Sequence, residues 1–432
     1  MDNLEQKLAD KTAVIGVAGL GYVGLPLSIA FAEAGLKVLG FDMEPTRVDA
    51  VNEGRSYIAD VSDERLAAVT GNKRLQAITS QERLTEVDAV CICVPTPLTK
   101  TKEPDLSYIV KECEELSRHL RAGQLVVMES TTYPGTTREV ILPILERSGL
   151  KTGTDFFLAY SPERIDPGNK NYTVKNTPKP VSGIDAVSTR YAELLYRQVA
   201  DTVIPLSSPE TAELTKIFEN VFRIVNIALV NELTTLCRKM GIDVWEVIDA
   251  ASTKPFGYMR FQPGPGVGGH CIPLDPYYLA SKAKEYDFHT RFIELAAEIN
   301  ESMPYNITGW ITEALNNRGV SLKNAGVLVL GVAYKKDVGD TRESPSLKLI
   351  RLLRERGAAV SYNDPYVPEI TIAGEKLKSV KLDGQALSAA ECVVIATDHS
   401  DYNYDEIVSK SRLVFDTRGV TRKLKAGNII RL

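Results

Sequence analysis

TAVIGVAGLGYVG, Thr12–Gly24, decides how the chain begins to fold. TAVIGVA is a short apolar run, the pattern of a strand covered on both faces of a parallel sheet. Gly19-Leu20-Gly21-Tyr22-Val23-Gly24 then fits G-x-G-x-x-G, and a helical pattern, LPLSIAFAEAG, follows it. The three glycines have separate tasks in such a turn. Gly19 permits the tight bend, Gly21 lets the backbone approach a pyrophosphate, and Gly24 lets helix and strand pack closely. The helix start adds free N–H groups and a positive dipole end. The motif gains force from KVLGFD, a second strand pattern ending at Asp42, at about the twenty-residue interval expected of the ribose-binding carboxylate. A carboxylate there suits a 2′-hydroxyl and repels a 2′-phosphate, so NAD rather than NADP is the expected cofactor.

Further strands are expected at DAVCICV, QLVVMES and FFLAY, separated by helical segments, which is the βαβ signature of a parallel sheet with helices on both faces. From Pro209 the texture changes. PETAELTKIFENVFRIVNIALVNELTTLCRKMG keeps helical periodicity up to Gly241, a C-cap residue, and a second helical stretch runs from Arg291 to Arg318. A helix so long usually spans between domains or packs in an oligomer. NAGVLVLGVAYKKD restarts the strand-turn pattern, with strands expected at AAVSYND, ECVVIATD and RLVFDTR. The expected fold is α/β: two Rossmann-like doubly wound domains, 1–205 and 319–432, joined by a central long-helix domain, 206–318. The second turn, Gly331 to Lys336, lacks the glycine triplet and carries Lys335 and Lys336. It reads either as a site for a different phosphate-bearing ligand or as two lysines on a solvated loop.

Composition narrows the function. The 432 residues are 44% hydrophobic and 25% charged, a globular composition large enough for two or three domains. The net charge of −5 has no basic surplus, which argues against a nucleic-acid partner. MDNLEQKLADK is charged and lacks an apolar h-region, so no secretory signal is expected, and no apolar run is long enough to span a membrane. The six cysteines are scattered, without a C-x-x-C pair, as fits a reducing cytoplasm.

GPGVGGHCIPLD, Gly264–Asp275, is the second stretch with chemistry in it. No lysine follows its glycines, so it is not a Walker loop. No other histidine sits near a cysteine at zinc-ligand spacing, so no metal is expected. Cys91, Cys93, Cys113, Cys237 and Cys392 read as buried and inert. Cys271 lies instead among Gly268, Gly269 and Pro273, where glycines would let a substrate approach the thiol. A helix beginning near Pro276 would favour its thiolate. A nucleophile and a structural thiol both remain open on this evidence. With NAD, a nucleophilic cysteine points to oxidation at the aldehyde level through a thiohemiacetal and a thioester. Asp275 reads as an activator of water or as a helix N-cap before Pro276.

GLGYVGLP, VPTP, STTYPGTT, SPERIDPG, AELTKIFEN, GPGVGGHCIPLDP and GVAYKKDVGDTRESPS together, and in this order, resemble the UDP-glucose/GDP-mannose dehydrogenase family over nearly the whole chain. The resemblance implies an NAD domain, a helical dimerising middle and a nucleotide-sugar domain. It implies oxidation of a C6 hydroxyl to a carboxylate with two NAD. Cys271 would carry the thiohemiacetal and thioester, while Lys216 and Asn220, on one helix face, would stabilise the oxyanion and order water. Asp275 and Thr131 resemble the family's general-base and water-positioning residues, and Glu163 its hydrolysis-step carboxylate. The implied cofactor contacts are Gly19, Gly21, Tyr22, Val23, Gly24, Asp42, Arg47, Val94, Pro95, Thr96, Ser130, Thr131 and Arg342. The implied sugar-nucleotide contacts are Glu163, Arg164, Lys216, Asn220, Phe261, Gly264, Gly268, Lys335 and Arg418, with Arg260 crossing into the partner's site of a homodimer or larger oligomer.

Two departures bear on the substrate. Leu274 stands where UDP-glucose enzymes carry a lysine, and Pro167 where they carry a glutamate. Together with SPERIDPGNK and STTYPGTT, these resemble the 2-acetamido-sugar branch, so UDP-N-acetylglucosamine is expected ahead of UDP-N-acetylmannosamine and UDP-glucose, in a cytoplasmic enzyme for surface polysaccharide. The rival readings are a two-electron alcohol dehydrogenase with a structural Cys271, and a catalytically silent sensor of NAD and nucleotide sugar.

Overall fold

The computed structural model describes residues 2–58, 61–99, 103–166, 169, 171–269 and 271–432, without the side chains of Asp2, Asn3 and Cys271. The chain divides into two compact units, residues 1–219 with 277–288, and residues 220–276 with 289–432.

The first unit is built on β1 (Val14–Ala18), β2 (Lys37–Phe41), β3 (Leu75–Ile78), β4 (Ala89–Ile92), β5 (Leu125–Met128), β6 (Phe157–Tyr160), β7 (Lys179–Gly183) and β8 (Val203–Pro205). They form one sheet in the order β3-β2-β1-β4-β5-β6-β7-β8. All pairings are parallel except β6 with β7. Alternate residues of one strand enter cores on opposite faces: Ala89 and Cys91 join one, Val90 and Ile92 the other. That is why DAVCICV is apolar throughout rather than alternating.

The second unit contains β9 (Gly326–Leu330), β10 (Ala359–Asn363), an antiparallel hairpin of β11 (Glu369–Ile372) and β12 (Glu375–Lys378), then β13 (Cys392–Ile395), β14 (Val414–Asp416) and β15 (Ile429–Arg431). Its parallel sheet runs β10-β9-β13-β14-β15. Both doubly wound sheets and the 32-residue helix Pro209–Met240 are present as expected, and that helix ends at Gly241 with φ +70°. The expected helix from Arg291 ends at Asn316.

The start of the cysteine helix differs from expectation. It begins at Cys271 and runs to Ala283, with Pro276 inside it, so Asp275 is not an N-cap. Pro276 lies in the second turn, where a missing N–H removes one backbone bond without breaking the helix. No helix among the described residues is long and apolar enough to cross a membrane.

Candidate functional site

The fingerprint turn has the shape its letters require. Gly19 adopts φ +91°, and a Cβ on Gly24 would stand 1.8 Å from the Gly19 carbonyl oxygen. Both are therefore glycine for reasons internal to the protein. Gly21 is different: a Cβ there meets no protein atom within 4 Å. Space over Gly21, beside the start of the helix Gly24–Glu33, fits a pyrophosphate brought close to the backbone. Tyr22 is exposed beside it. The turn lies where β1 pairs with β2 on one side and β4 on the other, the switch point of the sheet.

Asp42 follows β2. Its Oδ2 accepts the Leu20 N–H at 2.8 Å and its Oδ1 the Glu44 N–H at 2.9 Å, while the Arg47 guanidinium lies 3.5 Å away. Each oxygen keeps a lone pair for a ribose hydroxyl. Tyr57 donates to the Leu20 carbonyl at 2.6 Å and lies under Arg47. It comes from an irregular segment without periodicity, so nothing in the sequence marks it. Along the same sheet edge Ser130 donates to the Val94 carbonyl at 2.7 Å, and Tyr278 donates to the Thr96 carbonyl. Pro95 is exposed and Thr131 half-buried beside them.

Glu163 and Arg164 follow β6. Glu163 Oε1 accepts the N–H groups of Arg164 at 2.7 Å and Ile165 at 2.6 Å. The Arg164 guanidinium binds both oxygens of Glu219 and donates to the Pro178 carbonyl at 2.7 Å, which gives it a structural load. Lys216 is half-buried on the long helix. Pro167, Gly168 and His270 lie outside the described residues, as does the Cys271 side chain.

Within the second unit, Asn220 and Asp275 come together. Both are buried, and the Asn220 amide donates to Asp275 Oδ2 at 2.5 Å. The loop before Cys271 packs on its own unit. Gly264 N–H donates to Asn231 Oδ1 at 3.0 Å, and a Cβ on Gly264 would lie 2.9 Å from the Arg418 guanidinium. A Cβ on Gly268 would lie 2.7 Å from Tyr334 Cβ, and one on Gly269 2.9 Å from the Tyr334 ring. Gly268 and Gly269 thus pack closely against Tyr334, and Gly264 against Arg418. Phe261 meets the Phe222 ring edge-on. Arg260 pairs with Asp249 at 2.6 Å, Arg342 with Asp340 at 2.6 Å, and Arg418 donates to the Ala396 carbonyl at 2.7 Å. Lys335 is half-buried.

The comparisons with known proteins cover the same ground. Residues 13–200 match the NAD binding domain of the UDP-glucose/GDP-mannose dehydrogenase family, 210–302 its central domain and 328–423 its UDP binding domain. The chain belongs to the UDP-glucose/GDP-mannose dehydrogenase family. It is 37% identical to the UDP-N-acetyl-D-mannosamine dehydrogenase of Pyrococcus horikoshii, over 96% of this chain and 98% of that one. It is 34% identical to the UDP-N-acetyl-D-glucosamine 6-dehydrogenase of Pseudomonas aeruginosa, over 91% and 92%. The solved UDP-D-ManNAc dehydrogenase structure from Pyrococcus horikoshii superposes with a TM-score of 0.89 at 34% identity, covering 97% of this chain and 98% of that one.

As a member of this family the chain is an oxidoreductase whose cofactor is NAD. The open space at Gly21 and the spare lone pairs of Asp42 fit that cofactor. Cys91, Cys93, Cys113, Cys237 and Cys392 are all buried. Burial pushes the Cys91 and Cys392 thiols up to about 12, so neither is a nucleophile near neutral pH.

Proposed function

We propose that this dehydrogenase oxidises the C6 hydroxyl of a UDP-2-acetamido sugar to a carboxylate, as three domains spanning 1–205, 206–318 and 319–432. The observation that carries the chemistry is the buried Asn220–Asp275 pair, at 2.5 Å, which joins the long helix Pro209–Met240 to the helix whose first residue is Cys271. NAD would supply the electron acceptor, one molecule for each of the two two-electron oxidations. Asp275 takes the proton of the sugar hydroxyl, held in place by the Asn220 amide. The Cys271 thiol adds to the resulting aldehyde as a thiohemiacetal, and loss of two further electrons leaves a thioester. Water, ordered by Thr131 and Asn220 and deprotonated by Glu163, cleaves the thioester to the carboxylate and regenerates the thiol. Lys216 stabilises the developing oxyanions. Arg164, Phe261, Gly264, Gly268, Lys335 and Arg418 serve the sugar nucleotide, and Arg47, Pro95, Thr96, Ser130 and Arg342 the cofactor.

The central helix supports assembly with a second copy. Phe218, Phe222, Leu229, Leu236 and Met240 are all exposed along it, an apolar row at helical spacing. In a homodimer or larger homo-oligomer Arg260 would exchange Asp249 for the partner's site. The setting is the cytoplasm, and the product a uronic acid for surface polysaccharide.

The C2 epimer divides on two observations. SPERIDPGNK and STTYPGTT resemble the 2-acetamido-sugar branch as a whole, with the resemblance leaning to the N-acetylglucosamine enzymes, whereas the Pyrococcus relative favours the mannosamine epimer. NADH yield with UDP-N-acetylglucosamine, UDP-N-acetylmannosamine and UDP-glucose tests reaction and specificity together. Two equivalents per sugar are expected from an acetamido sugar. One equivalent identifies a two-electron dehydrogenase, and tight binding without NADH identifies a sensor. The Cys271→Ser variant is expected to keep NAD affinity and lose uronate formation; unchanged turnover would remove the nucleophile.

A further inference from the structure

Behind Glu163 lies a buried charge cluster that the proposed mechanism does not use. Lys179, the first residue of β7, is 5% exposed. Its ammonium donates to Glu129 Oε2 at 2.6 Å, to the Pro162 carbonyl at 3.1 Å and to Glu163 Oε2 at 3.4 Å. Three donors meet three acceptors, so the cation is fully satisfied. Glu129, directly after β5, is wholly buried, and its other oxygen accepts the Tyr196 hydroxyl, which in turn lies 3.7 Å from Cys91 Sγ. Glu163 is thus gripped twice: Oε1 by two backbone N–H groups, Oε2 by Lys179.

Stability alone is a poor explanation for this arrangement. Burying one cation and two carboxylates costs several kcal/mol of desolvation per ion, and apolar residues of similar volume commonly serve a core as well or better. The cluster also sits beneath a residue of the proposed reaction centre, where such costs are usually tied to function.

We infer that Lys179, backed by Glu129, is the positioning residue that orients the Glu163 carboxylate; this rests on the hydrolytic role of Glu163 proposed above. One ammonium is shared by two carboxylates. Burial pushes Glu129 up to about 7, against the lowering pull of Lys179. Burial works against the Lys179 ammonium, but Glu129 and Glu163 outweigh it and hold its ionisation above the ordinary lysine range. The other groups facing the cluster are Tyr196, Cys91 and Cys93, all raised by burial and neutral near pH 7. When Glu129 is protonated, Lys179 serves Glu163 alone. When Glu129 ionises, the cation is divided and the hold on Glu163 loosens.

The test is the pH profile of steady-state NADH formation, with whichever of the two UDP-2-acetamido sugars turns over. Glu129→Gln keeps the shape and an acceptor for Tyr196 but removes a negative charge near Glu163. Because the amide cannot ionise, the loss of rate that follows Glu129 ionisation near pH 7 should be absent, and the alkaline limb should move to higher pH. Lys179→Met removes the positive charge at similar length. Its kcat should be about tenfold lower, with KM for the UDP-sugar within about twofold, as loss of positioning at one step predicts. An alkaline limb unmoved in Glu129→Gln, or an unchanged kcat in Lys179→Met, overturns the inference. If Lys179→Met fails to fold, the direction in Glu129→Gln decides. Glu163→Gln separates the two levels. A burst of NADH followed by a stall supports the hydrolytic role, and an unmoved limb in Glu129→Gln then sinks positioning alone. Full turnover in Glu163→Gln sinks both.

Discussion

The two strand-turn-helix corners of this chain begin alike and diverge within a few residues. Each opens on a glycine at positive φ, Gly19 at +91° and Gly331 at +83°, against the backbone or side chain of a neighbouring strand end. Each has an aspartate after the next strand reaching back to the turn. Asp42 receives one N–H from the turn, from Leu20. Asp364 receives two, from Val332 at 2.7 Å and Ala333 at 3.0 Å, then two more from Tyr366 and Val367, and the buried His399 ring at 3.1 Å. The first carboxylate has capacity left for a ligand; the second is consumed by its own protein. The helix also follows differently, starting at Gly24 in the first corner but only at Pro345 in the second. The first turn therefore sets a helix N-terminus beside the open space at Gly21, while the second opens into a loop carrying Lys335.

Single residues can break this contrast. Gly24→Ala should give the largest loss, because its Cβ would enter the Gly19 carbonyl; stability should fall by about 3 kcal/mol or more, and NAD binding with it, in calorimetry and titration. Gly21→Ala, facing open space, should leave the melting temperature within a degree or so while NAD affinity falls about tenfold or more. Equal damage from both would mean that Gly21 is needed for the fold.

His399→Ala comes next in size. The tautomer is set by its neighbours: Nδ1 accepts the Asp337 N–H at 3.0 Å, so Nε2 carries the proton given to Asp364. Removing the ring strips a partner from a buried carboxylate and should cost about 3 kcal/mol. Asp42→Asn should cost less than half of that, with its main effect on NAD affinity. A reversed order of stability losses would refute the contrast between a consumed and a spare carboxylate.

The corners also differ in how clearly the sequence announces them. Apolar strands covered on both faces, β1, β4, β5, β9 and β13, were legible because burial leaves no room for polar letters. β3 alternates buried and exposed residues, β7 carries Lys179, Pro180 and Gly183, and β8 and β15 are three-residue edge strands. Little in them competes with a loop reading. The hairpin of β11 and β12 turns at Ala373-Gly374, both at positive φ, a position that ordinarily announces itself with Asn-Gly. The NAD corner could be argued letter by letter. Asn220 and Asp275 are 55 residues apart: Asp275 stands out by its place after Cys271, Asn220 enters only through resemblance, and nothing local pairs them. Lys179 and Glu129 could not be found at all, since nothing local marks a lysine in PKP or a glutamate in MES as partners across a sheet. The start of the cysteine helix was misplaced because Pro276 read as a boundary, whereas one missing N–H is tolerated in its second turn.

pH should also separate the two units. Burial pushes Glu112, Glu129 and Glu213 of the first unit up to about 7. Each binds a proton in the folded state that the unfolded chain has released above about pH 4.3, so their contribution is present below that pH and declines as pH rises towards 7. The slope is on the order of 1 kcal/mol per pH unit for each group. Asp364 of the second unit has the opposite sign. Burial alone would raise it, but His399 and the Val332 N–H outweigh burial and hold it below the ordinary range. Its contribution is present above about pH 4 and is lost only in acid. Thermal unfolding followed from pH 5 to 8 should therefore lower the transition of the first unit and leave that of the second nearly level. Parallel shifts in both would contradict these assignments.

The smallest effect is expected at Arg47. Its guanidinium is 3.5 Å from Asp42 with nearly half of its side chain in solvent, so the ion pair should contribute under about 0.5 kcal/mol to folding. Arg47→Ala should therefore leave the melting curve unchanged. Its value as a test lies in the cofactor. On the proposed cofactor geometry the charge of Asp42 would repel a 2′-phosphate, and Arg47 partly neutralises that charge in solvent. Removing the arginine should raise KM for NAD a few-fold and make the preference over NADP stronger, because the uncompensated carboxylate repels the added phosphate more. A preference that weakens instead would place the discrimination on Arg47 itself and take from Asp42 the role its spare lone pairs suggest.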